Sequence, residues 1–359
     1  LGALADQLNR QFGHLPHADY LRGLLEAYTS APTIQEATFR LVHALFAGYG
    51  LLVVIPDSAA LKQLFVPVVQ KELVEGFSNK AVEQTIAQLE PHYKIQVRGR
   101  EINLFYLDEE GRRERIERSA DGFEVAALGF RFSEDELLQL AAQRPELFSA
   151  NVILRGVFQE TILPNIAFIG GGGELAYWLE LKQVFAEAGV PFPVLLLRNS
   201  LALMDDRMQH LQQRTALTDA QLFQPLLTLQ NELAKAGLPA NWQPDEEAAQ
   251  LQATYERWLQ TAAAVDASLQ GHVAALHTQA IKGLRQLETK LLRAQRRKLK
   301  DTGQQLEALH QLLFPAGGLQ ERTENVLPWL AKYGPHLLQW IYDHSSPITA
   351  QFAMLRLPR

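Results

Sequence analysis

The sequence predicts an α/β protein with a small antiparallel β insertion and a long α-helical coiled-coil arm, and three stretches carry that expectation. Residues 162–200 read ILPNIAFIGGGGELAYWLELKQVFAEAGVPFPVLLLRNS: an apolar run, four consecutive glycines, an amphipathic segment and a second apolar run. That order is the pattern of a strand, a tight loop, a helix and a parallel strand. Between residues 93 and 118 the pattern changes to alternation, in YKIQVRG, EINLFYLD and RRERIER, as antiparallel strands require. From Asp245 onward an apolar residue recurs every three or four positions, through Leu251, Tyr255, Trp258, Ala262, Val265, Leu269, Val273, Leu276, Ala280, Leu284, Leu287 and Leu291. Such a stripe keeps one seam of a helix against a partner helix.

Taken in order, residues 1–48 show helical periodicity, and Tyr49 to Pro56 (YGLLVVIP) reads as a buried strand. Asp57 or Ser58 can cap the helix that follows, and helical segments continue to Leu89, with Pro67 marking a start or kink. Asp108-Glu109-Glu110-Gly111 supplies the hairpin turn of the alternating region, and Phe123 to Ala127 is a further candidate strand. Ser133-Glu134-Asp135-Glu136 matches a capping box and opens a helix that should end near Pro145. After the glycine unit, Leu217 to Leu238 reads as one helix, stopped by Gly237-Leu238-Pro239. The long helix from Asp245 is expected to pair with that segment in an antiparallel arm that also dimerises.

Composition sets limits on function. The 359 residues carry a net charge of −6, 47% hydrophobic content and no cysteine. Disulfides, thiolate metal ligands and a cysteine nucleophile are therefore excluded, and the overall charge gives no general attraction to nucleic acid. No apolar run reaches the roughly 18 residues of a membrane span, and the opening LGALADQLNRQFG has neither a basic leader nor an apolar signal core. A cytoplasmic protein is the expectation. The ten histidines form no tight metal-binding spacing, so no metal is expected. His14-Leu15-Pro16-His17 reads as a surface turn, and the basic run of Arg293, Arg296, Arg297, Lys298 and Lys300 reads as a solvated helix face.

Two glycine-punctuated stretches are the candidates for chemistry. Gly170 to Gly173 place bare backbone at the carboxyl end of a strand where a helix begins, the edge at which ligands gather in open α/β sheets. The loop faces a ligand, or it serves only to let the helix pack closely on the sheet. Neither familiar phosphate signature is present, since Leu175 takes the last glycine position of G-x-G-x-x-G. Glu174 falls in the helix's first turn, where it either caps or meets substrate. In the second stretch, LFPAGGLQERTENVLPWLAKYG (residues 313–334), Gln320, Glu321, Arg322 and Asn325 follow a break. They either read a phosphate and a base or ribose, or form a buried Glu–Arg structural network.

These residues also carry a family resemblance. NVILRGVFQETILPNIAFIGGGGELAYWLELKQVFAEAGVPFPVLLLRNS, together with LFPAGGLQERTENVLPWLAKYG, resembles the cysteine-adding enzymes of bacillithiol biosynthesis, the BshC family of cysteine ligases. VVIPDSAALKQLFVPVVQKEL, INLFYLDEEGRRERIER and the closing HSSPITAQFAMLRL extend the resemblance over most of the chain. It implies a Rossmann-like core related to class I aminoacyl-tRNA synthetases, interrupted by a connecting-peptide insertion and bearing a dimerising coiled coil. The implied organisation is a partial core at 1–90, the insertion with its hairpin at 91–150 and the second half of the core at 151–204. The arm then takes 205–312, and 313–359 returns to the core.

The activity implied is ligation of L-cysteine to glucosaminyl malate, with ATP or ADP as nucleotide. The family's R-P-x-x-Q-[DE] stretch falls on Arg155, Gly156, Gln159 and Glu160, with glycine where proline is usual. Its G-P-G-E-[IL]-A-Y-W motif falls on Gly171 to Trp178, with Gly172 in place of proline. Substrate contacts are thus expected at Arg155, Gln159, Gly171, Gly172, Gly173, Glu174 and Tyr177. The L-F-P-x-G-x-L-Q-E-R motif at 313–322 implies nucleotide contacts at Phe314, Gly317, Gln320, Glu321, Arg322 and Asn325. The family's G-Q-Q and E-D-H-D-type motifs are not found in the chain, so it is expected to lack the first part of its core. No general base is assigned. The rival expectations are a nucleic-acid-binding protein and a non-catalytic coiled-coil scaffold.

Overall fold

The computed structural model describes residues 2–346 and 348–358, which leaves Pro347 of the closing run outside the described residues. The chain forms two units, residues 1–199 with 326–351, and residues 200–325 with 352–359.

In the first unit the hairpin forms as expected. Strands β1 (Leu104–Leu107) and β2 (Arg113–Arg115) pair antiparallel, and β6 (Phe148–Ala150) adds to the other edge of β1. Asp108 fixes the turn by accepting from the amides of Glu110 and Arg112, while Gly111 takes φ +80°. A second antiparallel sheet joins β3 (Glu117–Ser119), β4 (Gly122–Val125) and β5 (Phe130–Phe132). The Ser133 capping box is present in full, and its helix runs Glu134–Gln143. The glycine unit folds as β7 (Ala167–Gly170), the helix Gly172–Glu180, the helix Lys182–Ala188 and β8 (Val194–Leu197), with β7 and β8 parallel.

One apolar core serves these elements, centred on Leu73, Val82, Phe123, Leu137, Leu154, Trp178 and Phe185. A buried polar chain pins it. The Glu72 carboxylate accepts from the Ser78 amide and hydroxyl and from the Asn103 amide, at 3.1, 2.7 and 2.9 Å. Burial pushes its carboxyl above the usual range, although those donors pull the other way. Asn103 in turn accepts from the Asn151 side chain at 2.7 Å.

Two expected strands are absent. Tyr49 to Pro56 forms no strand; Leu52 is 85% exposed, and no strand among the described residues pairs with the segment. YKIQVRG is likewise unpaired, because the amides of Gln96 and Val97 go to the buried Glu180 carboxylate at 2.7 and 3.1 Å. A side chain there does the work of a neighbouring strand.

In the second unit, β9 (Ser200–Met204) pairs parallel with β10 (Phe352–Arg356). The single helix of more than sixty residues expected from Asp245 is three: Pro244–Val265 and Gln270–Lys298, packed on each other, and Lys300–Leu313. Asp266 causes the first break. Its backbone is extended and its side chain accepts from the Ser268 amide at 2.8 Å, a local competitor for helix. Pro225 similarly divides the 217–238 segment into Asp219–Leu222 and Leu226–Ala236.

Candidate functional site

The first candidate lies at the carboxyl ends of β7 and β8. Gly171 precedes the helix Gly172–Glu180 in extended conformation, and the Glu174 carboxylate folds back to accept its amide at 2.7 Å. The remaining glycines have different reasons for being glycine. A Cβ on Gly170 would meet the Phe168 ring at 2.6 Å, whereas one on Gly172 or Gly173 would meet nothing within 4 Å. Close packing therefore explains Gly170, and the open pair leaves first-turn amides unobstructed toward solvent.

Arg198 completes this edge, and the sequence reading passed over it. Its amide donates to the Gly170 carbonyl at 2.9 Å, and its guanidinium carbon lies 3.6 Å from the Cβ position of Gly171. A signal was present, since Arg198 directly follows the second apolar run and so falls at the same sheet edge as the glycines. Tyr177, half-buried, packs toward the core on the same helix. Trp178 stacks on Phe168 with centroids 3.9 Å apart, holding the helix on β7.

Arg155 and Gln159 lie on the preceding helix, Val152–Ile162, which the Asn151 side chain caps by accepting from the Ile153 and Leu154 amides. Gly156 is where that helix meets Trp178 and Phe185, with 3.2–3.3 Å left for a Cβ. Gln159 donates to the buried Glu160, whose carboxylate also accepts from the Asn165 amide and side chain at 2.7 and 3.0 Å. Gln159 is thereby tied to a structural network. Arg155 instead faces a cavity of about 280 Å³ shared with Lys62 and Arg113.

The second candidate lies in the other unit. Gln320 is buried, and its amide brackets Leu203 of β9, accepting from the Leu203 amide at 2.8 Å and donating to its carbonyl at 3.2 Å. Glu321 accepts from the Leu201 amide at 3.0 Å through one carboxylate oxygen. Its other oxygen is buried 3.4 Å from Arg322 Nε without hydrogen-bonding geometry. Phe314 packs edge-on to Phe223, and Gly317 turns the chain at φ +78°. Asn325 closes the segment. The break after the helix Lys300–Leu313 thus clamps a strand and leaves Arg322 half-exposed at the surface.

Comparison with known proteins covers both units. Residues 1–199 match the family model described as "Bacillithiol biosynthesis BshC, N-terminal Rossmann-like domain", and residues 201–357 match "Bacillithiol biosynthesis BshC, C-terminal coiled-coil domain". A protein of Flavobacterium johnsoniae named "Putative cysteine ligase BshC" is 37% identical over 99% of the chain and 67% of the relative. Relatives of the same name in Flavobacterium psychrophilum and Christiangramia forsetii are 38% and 36% identical over 96% and 97% of the chain, each covered to 65%. The chain spans about two thirds of the length of these curated relatives.

Proposed function

The chain belongs to the bacillithiol biosynthesis BshC family, and from that premise we propose that it ligates L-cysteine to the amine of glucosaminyl malate, forming the amide of bacillithiol. The observation that carries this reading is the sheet edge where Arg198 lies beside Gly171 and the open Gly172 and Gly173 follow. Amide formation in water needs an activated carboxyl, and negative charge builds on that group as the amine attacks. First-turn amides and a guanidinium answer that need. Glu174 already holds the Gly171 amide, so its role is to keep the loop in shape, and Tyr177 shapes the wall behind it.

A nucleotide, ATP or ADP, would when bound supply the phosphoryl or adenylyl group on which the cysteine carboxyl oxygen leaves. The residues of the second unit fit one in part: Arg322, half-exposed and ion-paired at 3.4 Å with Glu321, would meet a phosphate on its open side, and the buried Glu321 oxygen without a hydrogen bond would accept from a ribose hydroxyl. Gln320 contributes by fixing the wall.

The arm supports a homodimer, because Trp258, Val265, Leu276 and Leu287 remain exposed along it. No helix among the described residues is long and apolar enough to cross a membrane. A cytoplasmic location is part of this proposal.

Mass-spectrometric detection of bacillithiol from glucosaminyl malate, cysteine and ATP tests the proposal. ATP-dependent product that falls about 100-fold in rate with Arg198→Ala supports it. No product from folded chain, alone or extended to the length of its relatives, would sink it.

A further inference from the structure

The cavity beside Arg155 has a charge balance that the glycine edge does not explain. Of its cations, Lys62 is neutralised, with Nζ 2.5 Å from Asp57 and donating to the Glu146 carbonyl at 2.8 Å. Arg113 is held only by neutral acceptors. It lies over the Phe105 ring at 3.7 Å and donates to Ser149 Oγ and the Ala150 carbonyl at 3.1 and 2.9 Å. Arg155 makes no ion pair or side-chain hydrogen bond among the described residues.

Its position makes that costly. Arg155 is in the first turn of Val152–Ile162, where the helix dipole opposes a cation. It also faces Arg113 closely enough that, after burial, it is the second cause lowering the Arg113 guanidinium from its ordinary value. Two arginines therefore line one cavity walled by Phe65, Phe148 and Phe158, whose carboxylate, Asp57, is already paired with Lys62. An anion between them would relieve the repulsion and satisfy the helix end, and planar forks suit a carboxylate in bidentate fashion.

We propose that this cavity is a carboxylate-binding site built on Arg113 and Arg155, and, resting on the function proposed above, that it takes the malyl carboxylates of glucosaminyl malate. Arg155 supplies the recruiting charge. Arg113, pre-positioned by Phe105 and Ser149, supplies the second fork, and the phenylalanines cover the carbon skeleton.

Titration calorimetry of the full chain with L-malate, with its uncharged diamide and with inorganic phosphate tests the site. Binding of L-malate and not the diamide is expected, weakened about tenfold or more by Arg155→Ala and less by Arg155→Lys. No heat with L-malate at millimolar concentration, an affinity unchanged in Arg155→Ala, or phosphate binding more tightly than malate would each overturn it. The ligation assay separates this proposal from the functional one. Product formed by both proteins with an unchanged KM for glucosaminyl malate in Arg155→Ala removes the malyl assignment and keeps the ligase. Arg155-dependent malate binding with no product from the wild type keeps the site and removes the ligase.

Discussion

The two glycine-broken motifs, at residues 170–178 and 313–322, look alike in sequence and are built for opposite ends. In the first, glycine removes side chains where the backbone is open, and a Cβ at Gly172 or Gly173 would touch nothing. In the second, Gln320 and Glu321 after the glycines are turned inward and hydrogen-bond the Leu203 and Leu201 amides, while Arg322 stays half-exposed. A break followed by polar residues is thus no guide to ligand binding. What separates the cases is where the neighbouring backbone amides are already satisfied.

The strongest way to break this contrast is Gln320→Leu. It strands the buried amide and carbonyl of Leu203, so a loss of about 2–4 kcal/mol is expected in urea unfolding of the second unit; unchanged unfolding together with lost ADP binding would make Gln320 a ligand residue instead. Arg198→Ala comes next. It should leave the unfolding midpoint in place and cut turnover about 100-fold, roughly the cost of removing one donor from a charge-stabilising site.

Gly172→Ala sharpens the comparison from the other side. Stability should hold or rise by up to about 1 kcal/mol, since alanine favours helix and the site has room, and turnover measured in parallel should fall if substrate approaches that backbone. The smallest effect concerns Asp219 in the second unit. The hydrogen bond from Arg356, 2.5 Å away, holds its carboxyl below the usual range. That stabilisation is therefore present above the ordinary carboxylate pKa and is lost as pH falls through the lower, folded one. Both groups are about two-fifths exposed, so Asp219→Asn should cost under about 1 kcal/mol at neutral pH, less in high salt and nothing in strong acid. A pH series of thermal midpoints on both proteins reads this directly.

What could be read from the sequence was local. The strand, loop, helix and strand of the glycine unit, the Asp108 turn and the Ser133 capping box each depend on residues within a short span. The elements that differ from expectation depended on distant partners or on weak breakers. YKIQVRG has strand periodicity, but the hydrogen bonds it needs come from Glu180, far along the chain. Tyr49 to Pro56 is apolar enough for a buried strand and lies exposed without one beside it. The coiled-coil stripe continues in register across Asp266, and only the Asp–Ser spacing signals that the helix stops there. At the site, Arg198 was in plain view at the end of an apolar run. Whether Gln320 faced a ligand or a strand could not be told, because its partner Leu203 belongs to another element.

The clamp on β9 also bears on how the molecule behaves in a crowded solution. Amides two residues apart point to one edge of a strand, and those of Leu201 and Leu203 are both occupied by side chains. β10 occupies the other edge. No strand from an unfolded or foreign chain can pair with this edge of β9 without first expelling Glu321 and Gln320, so the motif guards that edge against runaway polymerisation.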